Sequence, residues 1–381
     1  MQQIKKKIFY WSPFIVNIAT PKSVINSVIS INKYSQNYSA YIINFFKEFD
    51  IFKNSVEIDK NKFLEYFNFN LINRLPKYGK IRSRLSFLII FSLSIFPFHS
   101  ILKKHKPEFL IIHLITSLPL LMLILFNYKT KFILRISGYP HLGFFRKILW
   151  KLAFKKLYAV TCPTINTYNY IKSMNFADNS KIKVLYDPVI NIKKINYLRK
   201  QKIIKKKNYY LAVGRLTKQK NFLFLVKSFS KIVKEDKYAK LLIAGEGEDR
   251  KKIEKFIQEN KLEDNISLLG YIKNIYPYFS SAKGFILTSL WEDPGFVLIE
   301  ASFFRLPIFS ANSKPGPIEI IIDQKTGTTF ENNNLASFAA KFDIYKKNIG
   351  NKKILINNLK YIKNYTLFNH YKTLTKIISE N

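Results

Sequence analysis

Apolar residues along this chain fall into short continuous runs separated by segments of helical spacing. In the first half, KKKIFYWSP, SAYIINFF, PEFLIIHL, KFILRIS and YAVTCP read as buried strands. PKSVINSVISINKYS, after the first of them, repeats its apolar residues as a helix does. Alternation of this kind predicts a mostly parallel, doubly wound α/β sheet. The pattern lapses in a Lys-rich stretch from Lys193 to Asn208 and then restarts more cleanly. YYLAVGRL, KLLIAGEGE, ISLLGYI, KGFILTSL and PIFSAN are the later strands; NFLFLVKSFSKIVKE and DRKKIEKFIQENK are amphipathic helices between them. The expected organisation is a domain over 1–190, a linker over 191–208 and a second domain over 209–355. A helical tail over 356–381 is expected to cross back to the first domain. No solenoid-type repeat is present.

Three apolar stretches test whether the chain enters a membrane. Lys5, Lys6 and Lys7 before IFYWSPFIVNIA imitate a signal peptide, but Trp11, Pro13 and Asn17 interrupt the run, and a first buried strand explains it better. Residues 109–128 are uncharged and long enough to span, yet His113, Thr116, Ser117 and Pro119 divide them into a strand and an apolar helix. Leu85 to Phe98 is bracketed by Arg74, Lys77, Lys80, Arg82 and Arg84 before and Lys103, Lys104 and Lys106 after. It fits a helix lying in a bilayer interface, or equally one more core helix with a solvated basic rim.

With 381 residues, 48% of them hydrophobic and 23% charged, the chain is long enough for two domains of ordinary size. The single cysteine, Cys162, cannot form an internal disulfide, which points to a reducing compartment. A formal charge of +38 attracts polyanions, even after allowing for a lysine-favouring composition. No zinc-finger spacing, RNP-type strand or basic zipper accompanies it, so an anionic membrane face is a better expected partner than nucleic acid.

Two segments carry candidate chemistry. YYLAVG ends at Gly214 and delivers Arg215 and Lys220 in one short loop at the carboxyl end of a strand, where open α/β sheets bind ligands. An Arg fork and a mobile Lys beside a helix N-terminus suit a phosphate or diphosphate. In SLWEDPGFVLIEA, a helix begins near Pro294 or Gly295, with Glu292 before it and Glu300 in its second turn. Gly295 lets backbone N–H groups approach a ligand at the positive end of that helix. An anion at the helix start with carboxylates for hydroxyl groups is the combination that a sugar nucleotide presents. A capped helix with Asp293 as cap and a solvated Glu300 is the plain alternative.

VGRLTKQKNF, GEGEDR, LLGYI and EDPGFVLIE, in this order, resemble the retaining glycosyltransferases of GT-B fold in family 4. The motifs cover roughly Tyr209 to Phe342; the first half is similar only in layout. The resemblance implies two Rossmann-like domains facing each other across a cleft. It further implies that Arg215 and Lys220 hold the donor diphosphate, that Glu300 binds the ribose and that Glu292 lies against the donor sugar. Backbone at Gly295, Phe296 and Val297 would meet sugar and phosphate, and backbone near Tyr271 the base. His113, at the end of a first-half strand, is a possible sugar contact; a structural role is the alternative, and Arg135 is left between binding and structural pairing. His141, after another strand, is a weaker candidate. Pro13 to Thr20 lacks the Gly-Gly loop frequent in the family.

The implied activity is a retaining hexosyl- or N-acetylhexosaminyl-transfer from a nucleotide-diphosphate sugar to a lipid-linked or lipopolysaccharide acceptor. The enzymes most alike build O-antigen, capsule or lipid-linked oligosaccharides. Glycolipid or polyprenyl-linked acceptors, and a peripheral position on the inner face of the cytoplasmic membrane, are the matching expectations. No Asp-x-Asp pair occurs, so no metal and no cofactor is expected. The rivals are a catalytically inactive sugar-binding or scaffold protein, a transferase for a soluble acceptor, and a basic nucleic-acid binder.

Overall fold

The computed structural model describes residues 5–15, 19–53, 58–76, 80–176, 178–201 and 208–380. The chain forms two compact units, the first of residues 1–188 and 367–381, the second of residues 189–366. Each is an all-parallel sheet among the described residues. The expectation of two parallel-sheet α/β domains is met.

In the first unit the strands are β1 (Lys6–Trp11), β2 (Tyr38–Ile43), β3 (Phe63–Leu64), β4 (Phe109–Ile112), β5 (Lys131–Arg135), β6 (Ala159–Cys162) and β7 (Ile182–Val184). Their order is β3-β2-β1-β4-β5-β6-β7, so the direction of winding switches between β1 and β4. Strands buried on both faces explain the continuous apolar runs: every residue of FLII in β4 and AVTC in β6 is buried. The apolar helix Ser117–Leu125 follows β4, as the break at Thr116–Pro119 implies. One face of the sheet is covered by the helices Lys80–His105, Ser117–Leu125 and Phe144–Lys156, which share a single core with it. The other face carries the helix Ala19–Tyr34, against which the last helix, Leu367–Ser379, packs.

In the second unit β8 (Tyr209–Val213), β9 (Lys240–Ala244), β10 (Ile266–Gly270), β11 (Gly284–Leu287), β12 (Trp291–Glu292), β13 (Ile308–Ala311), β14 (Lys314–Pro315) and β15 (Thr328–Phe330) appear. The main sheet runs β10-β9-β8-β11-β13-β15, with the switch between β8 and β11; β12 and β14 pair separately.

Three boundaries differ from the sequence reading. Within the stretch read as linker, residues 192–198 form a helix capped by Asn191, whose side chain accepts from the Lys194 N–H at 3.2 Å. Of that stretch, 202–207 lie outside the described residues, as do 16–18 of the first loop, Lys77, and the side chains of Lys80 and Arg82. The return to the first unit comes at Leu367 instead of 356, because the helix Lys352–Ile362 packs on the Phe296–Phe303 helix of the second unit. The Leu85–Phe98 segment is part of a longer helix, Lys80–His105, with Pro97 inside it. This helix has the length and composition to cross a membrane, with a mean hydropathy of 2.0, while its Ile90, Phe98, Ile101 and Leu102 belong to the core of the first unit.

Candidate active site

The loops leaving β8 and β11 flank the winding switch of the second sheet, the position where such sheets bind ligands. After β8 the chain runs through Gly214 and Arg215, and an Asn221 in the left-handed region (φ 56°) turns it into the helix Phe222–Glu235. This loop is held from two sides. Leu216 donates its N–H to the Glu246 carbonyl at 2.9 Å, and the Leu290 N–H reaches the Gln219 carbonyl at 2.8 Å. The glycines of GEGE have a steric reason: a Cβ at Gly245 would sit 1.8 Å from the Gly214 carbonyl oxygen, and one at Gly247 2.3 Å from that of Leu216. The β9 loop therefore lies directly against the backbone that bears Arg215.

Lys220 and Glu292, read separately in the sequence, form an ion pair. The Glu292 carboxylate also accepts from Ser289 Oγ at 2.8 Å, and Thr288 Oγ1 donates to the Lys220 carbonyl at 3.0 Å. The Gln219 amide donates to the Trp291 carbonyl at 2.9 Å. Arg215 is exposed, with a long 3.5 Å contact from its guanidinium to Gln219 Oε1. The half-buried Lys220 is thus fixed in direction, and Arg215 keeps its fork available.

Gly295 (φ 101°) turns the chain into the helix Phe296–Phe303. Gly295, not Asp293, occupies the cap position. Phe296 and Val297 form the first turn, half-buried, and Glu300 stands in the second, buried. Its carboxylate accepts from the Tyr276 hydroxyl at 3.1 Å. Burial, then the adjacent Glu300 charge and this hydrogen bond, hold the Tyr276 hydroxyl well above its usual range, so it stays a donor. Tyr271 follows Gly270 at the end of the edge strand β10 and is highly exposed. The structure thus joins Lys220 to Glu292 directly and sets the helix of Glu300 one residue beyond Gly295. Tyr271 makes none of these contacts. Tyr276, Ser289, Thr288 and Gln219 were missed, since nothing in their spacing marks them.

His113 belongs to the first unit, at the end of β4 beside the switch with β1: its N–H donates to the Trp11 carbonyl at 2.8 Å. The ring is buried against Tyr10, and burial, then Arg135 and His370, push its pKa well down, so it is neutral. It lines a small internal cavity with Arg135, Asp187, Thr161 and His370. Arg135 resolves toward structural pairing, its guanidinium bonded to Asp187 and Ser137. His370, from the last helix, donates from Nδ1 to the Tyr186 carbonyl and accepts at Nε2 from Ser27 Oγ, each at 2.7 Å. His141 is exposed in the loop after β5. No group of His, Cys, Asp and Glu among the described residues has metal-binding geometry.

Comparison with known proteins bears on this arrangement. Residues 193–361 match the family model described as Glycosyl transferases group 1. An uncharacterized glycosyltransferase of Methanocaldococcus jannaschii is 28% identical over 70% of this chain and 68% of its own length. The N-acetylgalactosamine-N,N'-diacetylbacillosaminyl-diphospho-undecaprenol 4-alpha-N-acetylgalactosaminyltransferase of Campylobacter jejuni is 28% identical over 56% of this chain and 60% of its own. Among solved structures, a glycosyltransferase from Rickettsia africae superposes with a TM-score of 0.72 over 99% of each chain at 19% identity. Residues 193–361 of the second unit are thus similar to group 1 glycosyltransferases, and the chain has the GT-B fold.

Proposed function

We propose that this GT-B glycosyltransferase moves a hexose or N-acetylhexosamine from a nucleotide-diphosphate sugar to a lipid-linked or polysaccharide acceptor, with retention and without a metal. The observation that carries the proposal is the Lys220–Glu292 pair at the β8/β11 switch, one turn from the Gly295 helix start, inside the segment with the family match. Breaking the anomeric bond places negative charge on the leaving diphosphate. Arg215, Lys220 and the N–H groups at Phe296 and Val297 are the donors for it; a well-placed donor of this kind is typically worth about 3–4 kcal/mol. Glu300, held by Tyr276, is the acceptor for the ribose hydroxyls, and backbone near Tyr271 meets the base. Glu292 has two tasks: it orients Lys220, and it presents an oxygen to the donor sugar. Retention, His113 as a sugar contact and the absence of a metal requirement rest on the motif resemblance and on the lack of an Asp-x-Asp pair. The undecaprenol-linked substrate named for the Campylobacter relative supports a lipid-linked acceptor and, with it, a reaction at the inner face of the cytoplasmic membrane.

The test is a thermal-shift panel of nucleotide sugars on the full chain, with Arg215→Ala alongside. Stabilisation by one nucleotide diphosphate or its sugar, lost in the variant, is expected. Folded protein stabilised by no member would overturn the proposal in favour of an inactive scaffold.

A further inference from the structure

The helix Lys80–His105 carries large apolar side chains on both its core-facing and its solvent-facing sides. A helix packed on a sheet ordinarily turns large apolar side chains inward and polar ones outward. Here Ser86 and Ser94 are buried with Ile90 and Phe98, while Leu85, Leu88 and Phe96 stand on the solvent side, Phe96 at 75% exposure. Ser86 Oγ donates to the Pro76 carbonyl at 2.9 Å, while the buried Ser94 Oγ has no hydrogen-bond partner. The helix Phe144–Lys156 repeats the anomaly at its start, where Phe144 and Phe145 are 74% and 84% exposed. Both helices cover the same face of the first sheet, with Ser117–Leu125 packed against each. Lys80–His105 leads into the amino end of β4, and Phe144–Lys156 leaves the carboxyl end of β5. Leu85 and Leu88 therefore share the carboxyl edge of the sheet with Phe144 and Phe145. That is the edge where ligands enter an open α/β sheet.

Charge identifies what covers this face. Residues 66–177 hold seventeen Lys or Arg and one carboxylate, Glu108. Arg84 flanks Leu85, and Arg146, Lys147 and Lys151 alternate with the exposed apolar residues of the second helix, all of them exposed. A second copy of the chain would bring one cationic face against another and be repelled. A nucleic acid would leave the leucines and phenylalanines without an apolar partner. An anionic bilayer satisfies both components, with headgroups for the cations and acyl chains for the rings.

We propose that the outer faces of Lys80–His105 and Phe144–Lys156 form a membrane-docking surface for anionic phospholipid, with Phe144 and Phe145 as the inserting wedge. Docked this way, the carboxyl edge of the first sheet lies at the headgroups, and a lipid-linked acceptor is reached without leaving the bilayer. This last step rests on the proposed transferase reading; the docking itself does not.

The test is co-sedimentation of the full chain with vesicles of equimolar phosphatidylglycerol and phosphatidylcholine, and with phosphatidylcholine alone. The parent is expected on the anionic vesicles only, with binding partly retained at high salt because rings are buried. Phe144→Ser with Phe145→Ser is expected to weaken partition about tenfold or more, and Leu88→Ser with Phe96→Ser likewise. Tyr238→Ser, an equally exposed ring in the second unit, leaves it unchanged. A far-ultraviolet circular dichroism spectrum and a thermal transition matching the parent's show that the double-serine variants are folded. Four results overturn the proposal: no binding by the parent, equal binding to neutral vesicles, parental binding by the Phe variants, or a parent dimer that the Phe variants dissociate. A parent that docks on vesicles yet binds no nucleotide sugar refutes the transferase reading and leaves the surface standing.

Discussion

Lys220→Met separates the structural task of the Lys220–Glu292 pair from its task toward the donor. The variant leaves the Glu292 carboxylate with Ser289 as hydrogen-bond donor and no counter-charge. The two side chains are 13% and 9% exposed, so the pair is close to fully buried. Removing one partner of a buried pair costs about 3–5 kcal/mol, because the remaining charge is uncompensated. Residual exposure and the Ser289 bond place this pair at the lower end, about 3 kcal/mol. Adding Glu292→Gln removes the orphan charge, and the double variant should return to within about 1 kcal/mol of the parent. Donor affinity should not return with it. A charged hydrogen bond to the diphosphate contributes about 1.5–3 kcal/mol, so the double variant should bind nucleotide diphosphate roughly ten- to a hundred-fold more weakly. The assay is urea unfolding, with hydrogen exchange at the β8 and β11 amides to assign the change to the second unit, followed by calorimetric titration of the nucleotide. A single variant that unfolds at the parent's urea concentration would show that the pair is not coupled. A folded double variant with parental nucleotide affinity would remove Lys220 from the donor site.

Glu300→Ala is expected to weaken nucleotide-diphosphate binding by about 1.5–3 kcal/mol in calorimetry, and Tyr276→Phe by less, since the carboxylate remains. Gly245→Ala places a Cβ 1.8 Å from the Gly214 carbonyl at a φ of 146°, so it should lower Tm and raise the donor Kd by displacing the loop of Arg215. Acid should destabilise the first unit through His370, whose pKa is pushed down to about 4, chiefly by burial. The unfolded chain takes the proton near pH 6.5 and the native state only near 4, so this stability is whole above 6.5 and lost as pH falls between the two. The loss is about 3 kcal/mol, flat below pH 4. Circular dichroism across that range, with His370→Gln flattening the slope, checks it.

The strands that the sequence made legible are those buried on both faces, because only they demand a continuous apolar run. FLII and AVTC declare themselves; Ile182–Val184 and Thr328–Phe330, at the ends of their sheets, do not, since an outer strand needs few apolar residues. The site was legible at Arg215, Lys220, Glu292 and Glu300 because glycine and charge fall together at strand ends. The bond between Lys220 and Glu292 spans 72 positions and exists only because β8 and β11 are neighbours, a matter of topology that no local pattern records. Tyr276 is the same case: its sequence, IYPYFSS, reads as an ordinary helix start, and its meaning comes from Glu300 across a packed interface. The Lys80–His105 helix failed in the opposite way. Its local signal was strong, but hydropathy counts apolar residues without saying which side they occupy, so interface helix and core helix could not be told apart. Placement on the sheet shows one apolar face spent on the core and a second left exposed. A surplus of that kind is a property of the fold and the sequence together: which apolar residues are left over follows only from Ser86, Ile90, Ser94 and Phe98 being the ones turned inward.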